Sequence, residues 1–147
     1  MIYREGGLGR VFVLRMEHGD VLHPTVEAFC KEKGVKAAFV TAVGGADIGS
    51  KLVVGPKHGE KVPIEAQIHV LKGVHEVTGT GTVFPNENGE PVLHMHLACG
   101  RSGDTVTGCG RPGIIVWRVL EVMVVEMVNM DAVRRTDPLL KLEFLAP

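Results

Sequence analysis

Residues 89–113 read GEPVLHMHLACGRSGDTVTGCGRPG, and the alternation inside this stretch decides the fold. His94 and His96 stand inside an otherwise apolar run from Val92 to Ala98. In a strand, successive side chains point to opposite faces, so Leu93, Met95 and Leu97 share one face and the two histidines share the other. The leucine–methionine face is a core face. On the other, two imidazoles stand about 7 Å apart along the strand, close enough to converge on one ion. A turn at Gly100 to Gly103 and a return strand at Thr105 to Thr107 then bring Cys109 near them. Two nitrogens and a sulfur suit a divalent metal, zinc before others.

Outward from this hairpin, the chain has the size and balance of one domain, residues 1–147. Hydrophobic residues make up 45% and charged residues 22%, with a net charge of −1. Such a balance suits a folded globular chain and gives no global basic field to attract nucleic acid or anionic lipid. The most apolar region, Ile114 to Val128, is broken by Arg118, Glu121 and Glu126, so no membrane span is expected. The N-terminal MIYREGGLGR is not followed by a signal-like segment. The expected compartment is the cytoplasm, where Cys30, Cys99 and Cys109 stay thiols.

Arg10 to Met16 predicts a strand. Asp20 is expected to cap a helix over about residues 21–33, whose stripe is Leu22, Val26, Phe29 and Cys30, with Gly34 closing it. Strands are then expected at 35–43, 48–54, 64–71 and 75–84, with a polar loop at 55–63. Thr78, Thr80 and Thr82 alternate with Gly79 and Gly81, which leaves one bare face for a close neighbour. Ile114 to Val128 predicts one long or two consecutive strands. Leu139 to Leu145 is expected to close a sheet edge. One helix among many strands gives an α+β domain with a mostly antiparallel sheet.

The succession FVTAVGGA (39–46), GVHEVTGTGTV (73–83), PVLHMHLACG (91–100) and TVTGCGRPG (105–113) resembles the plants-and-prokaryotes-conserved (PPC) domain, which is joined to AT-hooks in plant nuclear proteins and stands alone in prokaryotes. The paired histidines are similar to the stand-alone prokaryotic branch. The resemblance, over roughly residues 10–130, implies an antiparallel sheet flanked by helices and a homotrimer. Two departures stand out. Thr107-Gly108-Cys109 replaces a Gly-Gly-His pattern, so Cys109 stands where the family carries a third histidine. Gly73 to Thr78 (GVHEVT) lacks the Arg and Phe of the plant motif tied to partner binding.

The metal candidates are therefore His94, His96, Cys109 and, at the start of the helix, His23. The competing reading makes the paired imidazoles structural hydrogen-bonding groups at a subunit interface, and His23 a capping or surface residue. Cys30 and Cys99 read as core. Glu76 and Glu65 are the nearest general-base candidates, yet no His-Glu-x-x-His motif, nucleophile elbow or phosphate loop accompanies them. Gly110-Arg111-Pro112 lacks the basic flanks of an AT-hook and reads as a turn. Three functions remain: a metal-holding protein with a binding or regulatory role, a metal-dependent enzyme acting on a small molecule at a subunit interface, or a DNA-associated protein. Near-neutral charge and the missing hook argue against direct DNA contact.

Overall fold

A computed structural model describes residues 1–147. Its elements are β1 (Gly7–Glu17), α1 (Leu22–Lys33), β2 (Ala38–Ala46), β3 (Lys51–Pro56), β4 (Ala66–Val70), β5 (His75–Pro85), β6 (Pro91–Arg101), β7 (Asp104–Cys109), β8 (Val116–Val128), β9 (Val133–Thr136) and β10 (Glu143–Ala146). Eight strands form one antiparallel sheet in the order β1-β8-β2-β5-β6-β7-β3-β4. The architecture is the expected α+β class with one helix. That helix is neither long nor apolar enough to cross a membrane.

The main core lies on the helix side of the sheet. Leu22, Val26 and Cys30 of α1 join Leu93, Met95, Leu97 and Cys99 of β6 and Leu120, Val122 and Val124 of β8 in one buried cluster. Each fully buried leucine or valine contributes about 1.5–3 kcal/mol relative to exposure. The bare glycine face of β5 is filled by its own neighbour strand. A Cβ at Gly79 would lie 2.9 Å from Leu97 Cγ, and one at Gly81 only 2.3 Å from the His94 carbonyl oxygen.

Three local expectations change. Asp20 does not cap α1: its carboxylate accepts the Glu17 amide at 2.9 Å and closes the preceding turn. The capping position is instead Val21, which offers no side-chain cap, and Leu22 N–H donates to the Ile114 carbonyl at 2.9 Å. The first helical donor is thus satisfied by tertiary backbone. At the other end Gly34 adopts φ 66°, and Val35 N–H reaches back to the Cys30 carbonyl at 2.8 Å, as the sequence suggested.

The β6–β7 turn is shorter than expected. Only Ser102 and Gly103 lie between the strands, both at positive φ, 53° and 89°, as a two-residue hairpin turn requires. The third change is in the tail. Leu139 to Leu145 does not extend the sheet; β9 and β10 pair with each other as a separate hairpin. Its anchor to the sheet is Arg134, bonded to Thr82 and Val92, beside a small cluster of Phe84, Ala37 and Ala132.

Candidate metal centre

β6 carries the site because its alternation is sharp. Leu93, Met95, Leu97 and Cys99 are wholly buried, whereas His94 is half-buried and His96 exposed. The imidazole rings of His94 and His96 meet edge to face, with centroids 5.1 Å apart and planes at 77°. Antiparallel register sets Cys109 directly opposite His96, so the thiol and the imidazole share a face. One donor atom from each of His94, His96 and Cys109 lies within 4.8 Å of the others. Tetrahedral zinc with N and S ligands spaces its donors about 3.5 Å apart, within reach of small side-chain rotations. The donor set fits such an ion.

Why the hairpin opens here is visible in the backbone. β7 ends at Cys109, so the β6 edge before His96 loses its partner strand. Gly110 N–H donates to the Met95 carbonyl at 3.0 Å, and the Glu27 carboxylate of α1 accepts the Leu93 amide at 2.9 Å. These bonds satisfy an edge that would otherwise stay unpaired. Gly110 packs closely on the core: a Cβ there would fall 2.4 Å from Leu97 Cδ1 and 3.1 Å from His23 Cε1, so those side chains would have to shift.

His23 therefore sits beneath this turn. It is 4% exposed, and neither ring nitrogen has a hydrogen-bond partner. Burial first, then the charges of Arg111 and His94, push its pKa down to about 4. It lies next to the cluster of three but is not a member of it. His94 is also held below the ordinary imidazole value, by burial and then by Arg134, Arg111 and His96, with Glu143 opposing. Neutral imidazole is the form that ligates a metal.

The two carboxylates nominated from sequence stand elsewhere. Glu76 pairs in register with Gly100, about 13 Å along β6 from His96. Glu65 is paired with Lys57 at the β4 edge. The acidic groups near the site are instead Glu27 and Glu143, the latter in an ion pair with Arg111 at 2.9 Å. The sequence shows Arg111 only as part of a turn, and Arg134 and Glu143 come close through the tail hairpin, which has no local signature. His69 and His75 line a separate cleft of about 450 Å³ with Lys72 and Arg101. Cys30 and Cys99 are buried free thiols, and burial raises each to a pKa of about 11.

Known structures match this architecture along the whole chain. A plant- and prokaryote-conserved protein of Pyrococcus horikoshii superposes with a TM-score of 0.86 at 26% identity, covering 100% of this chain and 98% of its own. A metal-containing protein of Archaeoglobus fulgidus gives 0.84 at 26% identity, with 100% of both chains covered. A Bacteroides thetaiotaomicron protein described as a DNA-binding candidate gives 0.75 at 21% identity over 96% of each chain, a likeness of fold alone. No curated protein is significantly similar in sequence. The model of the Plants and Prokaryotes Conserved (PCC) domain matches residues 3–128, and the chain belongs to that family.

Proposed function

We propose that this protein holds one divalent metal ion, zinc in the first place, through His94, His96 and Cys109, and serves a binding or regulatory role. The observation that carries the reading is the convergence of two imidazoles and a thiol within 4.8 Å on one face of one hairpin. The donor types favour zinc among available ions. A structural relative that contains metal adds support. His23, unpartnered beneath the site, is the nearest further nitrogen donor and the first residue to test as a fourth.

A homotrimer in the cytoplasm completes the proposal. Its support is the sheet face opposite α1, where the exposed Val11 and Phe39 share a row through Val125 and the exposed Val13 stands in the next row beside Met123. A contiguous apolar face of this kind is normally covered, here by further copies of the chain. Light scattering at micromolar concentration should give three times the chain mass; a monomer would overturn this part.

The test of the metal is elemental analysis of protein purified without an affinity tag, beside a His94→Ala/His96→Ala variant. About one equivalent of zinc per chain, lost in the variant, is the expected result. A folded wild type that takes up no metal on dialysis against zinc would overturn the reading. Enzymatic use of the ion is the second reading, favoured because three protein donors leave one tetrahedral position open to water or substrate. Turnover that disappears with the metal and returns with zinc would select it.

A further inference from the structure

Arg134 is a buried cation whose partners are all neutral. It is 3% exposed. Its Nε donates to the Val92 carbonyl at 3.3 Å, and its Nη2 donates to the Thr82 carbonyl at 3.2 Å and to Thr82 Oγ1 at 2.9 Å. Of the nearby carboxylates, Glu143 is engaged by Arg111 at 2.9 Å and Glu27 by the Leu93 amide. A guanidinium withdrawn from water without a paired anion is costly. Nη1 takes no part in these bonds. The only side-chain polar atoms sealed from solvent without a partner are the two nitrogens of His23, so Nη1 is not wholly sealed.

This cation stands beside the metal donors. Thr82, which it grips, is the register partner of His94, so the two Cβ atoms lie about 5 Å apart on the same face. The charge of Arg134 acts on His94, and Arg134 in turn feels burial first, then Arg111 and Glu143, and last Cys109. A divalent ion on two neutral imidazoles and one thiolate retains a unit of positive charge. Arg134 adds another, while Arg111 is already balanced by Glu143.

We propose that the metal centre and the Arg134 guanidinium together form a binding site for a small oxyanion, a carboxylate or a phosphate. The proposal rests on the metal reading above and names the ligand class of that site. One oxyanion would bridge both positive centres, and Nη1 would supply a charge-assisted hydrogen bond. The role of Arg134 is to select and position the anion.

The experiment uses the intact protein loaded with cobalt(II), its content measured first, then titrated with acetate and separately with inorganic phosphate. Cobalt absorption and calorimetry are the readouts. A saturable spectral change with one of the two anions is expected, and which one responds identifies the source of the oxyanion. Arg134→Gln should weaken that anion by at least about tenfold without changing cobalt content. Arg134→Lys keeps the charge but not the fork, should weaken it less, and decides the matter if the Gln variant does not fold. Cobalt bound stoichiometrically with no response to either anion, or equal affinity in wild type and variants, would overturn the oxyanion site and leave the metal reading standing. No cobalt uptake at all would overturn both.

Discussion

The two faces of β6 are built from alternate residues of one strand and behave as different materials. Leu93, Met95, Leu97 and Cys99 are sealed against α1 and the glycines of β5. His94, His96 and Ala98 look the other way, beside the Thr82 and Thr80 side chains and across from Cys109. The site's precision is therefore borrowed. The imidazoles are held in place by the packing of their odd-numbered neighbours, not by bonds of their own.

Leu97→Ala strikes the sealed face directly. It should cost about 2–5 kcal/mol in denaturant unfolding, since it empties a wholly buried position. The matching substitution on the open face, His96→Ala, should leave metal-free stability within about 0.5 kcal/mol, because that side chain is exposed.

His23 probes the contrast from the opposite direction, as a polar group on the sealed side. Both its nitrogens are buried and unpartnered, so His23→Leu should stabilise the metal-free protein by about 1–3 kcal/mol. The imidazole's pKa is lowered to about 4 in the folded chain, below the unfolded value near 6.5. The unfolded state therefore binds the extra proton first, and stability should fall as pH drops from about 6.5 toward 4 and level off below. Thermal melts against pH should show that limb in the metal-free wild type and a flatter one in His23→Leu.

At the β1 edge of the sheet Glu126 grips Arg10 at 2.7 Å, and that side-chain hydrogen bond holds its pKa down to about 2. The pair contributes above the ordinary carboxylate value and is lost as pH falls toward 2. Glu126→Gln should be less stable than wild type at neutral pH in denaturant unfolding, with the gap closing in acid. The smallest effect should come from Val13→Thr on the uncovered face. Chain stability should barely move, while light scattering should report weakened self-association.

The hairpin of β6 and β7 was legible because strict alternation and a glycine-bearing turn are local signals, as was Gly34 at the end of α1. Cys109 could be nominated from its place after the return strand, although its registry with His96 needed the real two-residue turn at Ser102 and Gly103. Asp20 misled because a carboxylate before a helix can serve the turn behind it as easily as the helix ahead, and the Ile114 carbonyl had already taken the donor at Leu22. Arg134 was invisible. Nothing near it in sequence announces that a guanidinium will be buried on a strand some fifty residues away, at Thr82.

Gripping Thr82 from the tail hairpin, Arg134 divides the centre between two stretches of chain. All three candidate metal donors fall within residues 3–128, the part that matches the family, and the guanidinium falls outside it. The candidate donors and the guanidinium proposed to act beside them are thus encoded in separate stretches. If the proposed site holds, exchanging the last hairpin for another would remove Arg134 and the Glu143 partner of Arg111 while keeping all three candidate donors.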